Sequence, residues 1–173
     1  MAAKIDKGKK IIIDADVIIH FIRGDQLGLL PTIFPNKIHI LDVVFQEVFV
    51  GRLRIQVENL IRYGIIQELE FDGNLQVMKE FAQLKKQFGI GESACMAYCR
   101  YSKDVIASSN LKDITSYCQV HGITYLTTMD FIYEAFTTGK LNESQCDDFI
   151  TEVIRNGSKL PFPNMQSYLR SLL

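Results

Sequence analysis

Lys10-Ile11-Ile12-Ile13-Asp14-Ala15-Asp16 is the stretch on which the fold turns. Residues 10–14 form a short apolar run ending in a carboxylate, the pattern of a strand buried on both faces. Residues 17–22 then read as a short helix closed by Gly24. In open parallel sheets, sites form beyond the carboxyl ends of the strands. Asp14 ends the first strand, and Asp16 is close enough to share its pocket. A carboxylate at a buried strand end is costly unless a partner or solvent compensates it.

Downstream, residues 27–34, punctuated by Pro31 and Pro35, predict a short helix, and residues 37–41 alternate as a strand. Asp42 caps a helix running through Val50, which Gly51 ends. Residues 54–63 are helical, with Ile55, Leu60 and Ile61 available to pack, and Gly64 leads into a strand at 65–69. Gly73 and Asn74 open a longer helix whose apolar stripe is Leu75, Met78, Phe81, Ala82 and Leu84. Residues 88–91 break it, and a helix follows at 92–101. Strands at 105–107 and 124–126 alternate with helices at 111–120 and 129–136. From Asn142 the chain is helix, a loop at 157–163, and helix again. This alternation to about residue 138 predicts an α/β fold with a central, mainly parallel sheet flanked by helices. Residues 10–139 form one domain, and residues 140–173 a C-terminal helical extension packed on it or extending from it.

The 173 residues are 47% hydrophobic and 23% charged, a globular balance with enough chain for a core. No stretch has the apolar length of a membrane span, and Asp14 and Asp16 interrupt the one segment resembling an export signal. A cytoplasmic protein without a membrane partner is expected. Lys4, Lys7, Lys9 and Lys10 read as a solvated leader. Cys95, Cys99, Cys118 and Cys146 contain no CxxC pair, and the first two, one helical turn apart, suit a packed face rather than zinc. His20, His39 and His121 have no metal-site spacing and read as surface or lightly buried residues. A net charge of −1 means that any contact with nucleic acid comes from a local basic patch.

Three further acids stand at informative places. Glu47 interrupts the apolar VVFQEVFV segment, a largely buried helix on this reading, where a metal or an arginine would offset its burial. Glu92 follows Gly-Ile-Gly at a helix start, and Asp113 falls in the first turn of a helix capped by Ser109 or Asn110. Helix-dipole stabilisation alone accounts for acids at these two places. Taken with Asp14, however, they form a set that a parallel sheet can gather at one edge. Hard divalent cations take oxygen ligands, and a water they activate can attack a phosphodiester in line.

The segments IIID14AD16VI, VVFQE47V, GIGE92SACMA and S108SN110LKD113I, in this order, resemble the PIN-domain family over about residues 11–139. The last is similar to the T-x-N-x-x-D-F stretch of VapC-like toxins, with Ser108 for threonine and Ile114 for phenylalanine. The tail is similar to a subgroup carrying a C-terminal helical pair. The resemblance implies an Mg²⁺- or Mn²⁺-dependent endoribonuclease, leaving 5′-phosphate and 3′-hydroxyl ends. It also implies a homodimer that acts as the toxin of a toxin–antitoxin pair, beside a small antitoxin protein. Carried across, Asp14, Glu47, Glu92 and Asp113 are the catalytic, metal-binding acids; Asp16 and Asn110 are auxiliary polar residues, and Ser108 orients the site. RNA needs positive charge near this edge, for which Arg52, Arg54 and Lys112 are the candidates.

Two other readings compete. A strand ending in D-x-D also opens the haloacid-dehalogenase phosphatases, but Ile18 replaces their usual threonine or valine, and Asp147–Asp148 lies in the helical tail. The second is a catalytically idle PIN-type fold that binds RNA or protein.

Overall fold

The computed structural model describes residues 5–48, 50–71 and 74–173, with Val48 described in its backbone only. Lys4 of the leader and Gly73, expected to open a helix, lie outside the described residues. Among the described residues, five strands form one all-parallel sheet: β1 (Ile11–Ile13), β2 (Ile38–Leu41), β3 (Gln67–Leu69), β4 (Val105–Ala107) and β5 (Tyr125–Leu126). Their order is β3-β2-β1-β4-β5. β1 pairs with β4 from Ile11↔Val105 to Ile13↔Ala107, and every residue of both strands is buried. Runs without alternation belong in a sheet covered on both faces, and helices cover it.

These helices are α1 (Ala15–Arg23), α2 (Leu30–Ile33), α3 (Asp42–Val48), α4 (Gly51–Arg62), α5 (Leu75–Leu84), α6 (Ile90–Ser102), α7 (Leu111–His121), α8 (Thr128–Thr137), α9 (Glu143–Arg155) and α10 (Met165–Ser171). Gly51 does not merely end α3: at φ +58° it opens α4, a conformation that costs glycine least. In α4 the packing residues are Val57 and Leu60 with part of Leu53 and Ile61, while Ile55 is exposed. The α5 stripe is rotated from its expected position. Val77, Phe81 and Leu84 face the core at i, i+4 and i+7, leaving Leu75 and Met78 at the surface.

The tail packs on the rest of the chain. Phe149 of α9 is buried against Phe21 of α1, ring centroids 5.1 Å apart, and Phe21 meets Phe131 of α8 at 5.9 Å. Gly24 lies directly under Phe149, and no side chain would fit there. Arg23 Nη1 donates to Ser158 Oγ (2.6 Å), Asn156 Nδ2 to the Arg23 carbonyl (2.9 Å), and the Tyr168 hydroxyl to Asp130 Oδ1 (3.0 Å). All four cysteines are free and buried. Among the described residues, no helix is long and apolar enough to cross a membrane.

Candidate functional site

The chain runs outward from β1 through β2 and β3 on one side, then returns to build β4 and β5 on the other. The crevice beyond β1 and β4 is therefore the topological switch point, where parallel sheets open a site. The Asp14 amide donates to the Ala107 carbonyl at 2.8 Å, which brings the segments following both strands side by side.

Asp14 caps α1, its Oδ1 accepting from the Ala15 amide (2.8 Å). Its Oδ2 accepts from Ser108 Oγ at 3.4 Å, and the same hydroxyl lies 3.3 Å from Asp16 Oδ2. Asp16 Oδ2 also accepts from the Ser109 amide (2.7 Å), and Oδ1 from the Val17 amide (2.6 Å). Ser108 is fully buried and has one proton to share between two carboxylates. Asn110 divides its amide in the same way, Nδ2 donating to Glu92 Oε1 (2.8 Å) and to Asp113 Oδ2 (2.7 Å). Four acids from three places in the chain are thus linked through Ser108 and Asn110.

The electrostatics are unfavourable as they stand. Burial, then the Asp16 charge, pushes the Asp14 carboxyl well above its ordinary range, with Glu92 adding to the rise. Burial also raises Asp16 to about 6, with Glu92 again contributing, against three hydrogen bonds that pull it down. None of the four acids has a lysine or arginine paired to it among the described residues. Over Asp14, Asp16 and Glu92 lies a cavity of about 250 Å³, walled by Ile19, Gly89 and Gly91. The oxygen-only donors and surplus negative charge suit a hard divalent cation. Among the described residues, no three His, Cys, Asp or Glu side chains converge tightly enough to form a ready-made cage.

The break between α5 and α6 is present, at residues 85–89, so α6 starts two residues earlier than expected. Gly89 caps α6, and Gly91 lies in its first turn, where a Cβ would stand 2.6 Å from Asp14 Oδ1. The glycine admits α6 against the carboxylate, bringing Glu92 to the cluster. Glu47 differs from expectation. Val44 and Phe45 are buried, but Gln46 and Glu47 are exposed: the two adjacent polar residues mark the solvent side of a short amphipathic helix. Val44 approaches Gly91 within 3.9 Å of its Cβ position, and Glu47 is one turn further along α3.

Of the expected cations, Arg52 and Lys112 are exposed, and Lys112 neighbours Asp113 in sequence. Arg54 is engaged locally: it pairs with Glu58 at 2.8 Å and lies over the Phe45 ring at 4.6 Å. The leader lysines Lys7, Lys9 and Lys10 gather with Lys37 around a cavity of about 400 Å³ at the amino edge of the sheet, away from the carboxylates. Asn36 holds this leader by donating to the Asp6 (2.9 Å) and Lys9 (2.8 Å) carbonyls.

A further chain of contacts was not visible in the sequence. Ser109 Oγ meets Thr128 Oγ1 at 2.7 Å, Thr128 Oγ1 meets His20 Nδ1 at 2.8 Å, and Ser109 Oγ accepts from the Thr128 amide at 2.9 Å. His20 and His39 are buried rather than at the surface: Thr128 of α8 gives His20 a partner that no local pattern announces, and the Lys37 carbonyl meets His39 Nδ1 at 3.1 Å. Burial, then the Arg23 charge, lowers His20 to about 4 and keeps it neutral near pH 7. The S-S-N run after an apolar strand is the one sequence signal that pointed to Ser109.

Comparison with known proteins finds no family model that matches the chain. No curated protein matches it either.

Proposed function

We propose that the chain is a metal-dependent endoribonuclease of the PIN type, working from the carboxyl edge of β1 and β4. The observation that carries this reading is the buried Asp14 carboxylate beside the half-buried Asp16, facing Glu92 and, among the described residues, with no lysine or arginine paired to them. A fold leaves such charge uncompensated at a cost unless a ligand completes it. Asp14, Asp16, Glu92 and Asp113 would hold one or two Mg²⁺ or Mn²⁺ ions, and Glu47, exposed on α3, is the solvent-facing member of the expected set. The spread of these acids suits Mg²⁺, which keeps several waters and takes only one or two carboxylates. When bound, the ion supplies activation of a water and neutralises charge building on the phosphodiester.

The protein's own groups have distinct tasks in this reading. Ser108 orients Asp14 and Asp16 through its shared proton. Asn110 holds Glu92 and Asp113 apart at a fixed spacing, and the Ser109 amide fixes Asp16. Lys112 and Arg52 are exposed cations able to neutralise the RNA backbone. The reading extends to a cytoplasmic, homodimeric, toxin-type protein with a small antitoxin partner; the order of acidic motifs and the helical tail support it.

The test is cleavage of a mixed RNA substrate by purified protein in Mg²⁺, Mn²⁺ or EDTA, alongside Asp14→Asn. Metal-dependent cutting that disappears in the variant supports the nuclease. If wild type and variant are both inert in every metal, a binding role takes its place. If a small phosphate monoester is hydrolysed instead, the phosphatase reading does.

A further inference from the structure

A second cavity, of about 310 Å³, opens on the same edge of the molecule. Tyr125 and Thr127 line it from the end of β5, Leu111 from the first residue of α7, Asp130 from α8, and Phe162 and Tyr168 from the tail. It adjoins the carboxylate cluster through the backbone: Leu111 follows Asn110, and Thr127 precedes Thr128, whose amide donates to Ser109 Oγ. Among the described residues no lysine or arginine lines it, so its walls do not suit a phosphate. They offer ring faces and one carboxylate. Phe162 and Tyr168 stand edge to face, centroids 5.2 Å apart, and the Tyr168 hydroxyl donates to Asp130 Oδ1. Asp130 Oδ2 already accepts from both the amide and the hydroxyl of Thr127, whereas among the described residues Oδ1 accepts from Tyr168 alone and keeps a lone pair for an incoming donor.

We infer that this cavity is a nucleobase pocket of the RNA-binding surface, formed jointly by the domain and its C-terminal tail. The inference rests on the nuclease reading and adds a substrate preference to it. A base stacks on aromatic rings whatever its sequence, and an acidic partner favours bases that carry an exocyclic amino group. Adenine, cytosine and guanine have one. Uracil has a single ring N–H, flanked by two carbonyls that would face the same carboxylate. With the base seated against Leu111, the adjacent backbone lies toward Asn110, Lys112 and Asp113, where a phosphate belongs. The tail is then part of the substrate surface, not an appendage to it.

Titration of the full chain in EDTA with AMP, CMP, GMP, UMP and inorganic phosphate, read by backbone amide chemical shifts, tests the pocket without any cleavage. Leu111, Thr127, Asp130 and Phe162 should shift with the three amino-bearing nucleotides. UMP should bind at least about fivefold more weakly, and phosphate should leave these signals unmoved. Phe162→Ala should weaken binding about tenfold. Phe162→Leu keeps the apolar fill and guards against a folding artefact; it should weaken binding about fivefold. Equal responses to UMP or phosphate, shifts confined to other residues, or none at all would overturn the proposal. So would a dimer that becomes monomeric in Phe162→Ala with no nucleotide response, since the face would then be a contact between two copies. The two readings fail separately: RNA cutting without nucleotide shifts removes the pocket alone, and shifts without metal-dependent cutting remove the nuclease alone.

Discussion

At the residue scale, Asp16 carries the most informative charge. Its pKa is raised, so the folded state holds a proton through the window from about 4 to 6 that the unfolded chain releases. Stability from this group therefore grows as pH falls and is lost as pH rises through about 6, a swing of roughly 3 kcal/mol. His20 acts oppositely: lowered to about 4, it makes the folded state lose stability on acidification below the usual histidine range. The whole protein's pH curve mixes the two, and only a difference measurement separates them. In EDTA at pH 7.5, Asp16→Asn should be up to about 3 kcal/mol more stable than wild type, an advantage that vanishes near pH 4. Denaturant midpoints across pH would show this, and a constant difference would discard the electrostatic account. Gly91→Ala tests the neighbouring contact. A methyl 2.6 Å from Asp14 Oδ1 must displace α6 or the carboxylate, so the proposed RNA cleavage should fall about a hundredfold while the fold persists. Activity and circular dichroism measured together would decide it.

Among the elements, the short strands were the most legible. β1 and β4 are three-residue apolar runs buried on both faces, and no other placement satisfies them. Helix faces were less legible: in α5 several apolar residues compete for the core, and only the neighbours decide that Val77 wins over Met78. The break before α6 was legible, but not its far bound: Gly89 is the cap, and Gly91 is already helical and makes room for Asp14. The acids were found by their positions at strand ends and helix starts; their coupling through Ser108 and Asn110 depends on β1 meeting β4, which no local pattern encodes. The α1–α9 contact gives a prediction at this scale. Phe149→Ala should cost about 3–5 kcal/mol, read as a lowered urea midpoint, because the ring fills the space over Gly24 and against Phe21.

For the whole molecule, the two edges of the sheet differ. Carboxylates collect at the carboxyl edge, and Lys7, Lys9, Lys10 and Lys37 at the amino edge. If RNA lies along the carboxyl edge, Lys112→Ala should weaken binding and lower the salt dependence by about one counterion, whereas Lys37→Ala should change neither. Affinity measured over a range of salt concentrations checks both. The tail belongs to the same folding unit: Cys146, Phe149, Ile150 and Val153 are all buried. Ending the chain after Gly139 should abolish cooperative thermal unfolding, and a sharp transition in that fragment would show instead that residues 140–173 are dispensable.

The central strand of the sheet is also the first to be synthesised. β1 lies between β2 and β4, and its second neighbour follows more than ninety residues later, as the bond from the Lys10 amide to Asp104 records. Such long-range closure comes late, because the intervening loop must be ordered before the contact repays it. A growing chain on the ribosome therefore displays Asp14 and Asp16 early, with neither Ser108 nor Asn110 yet made to join them to Glu92. The cluster comes together only when β4 slots in beside β1; under the proposed nuclease reading, a chain interrupted in translation would stay harmless to the messenger being read.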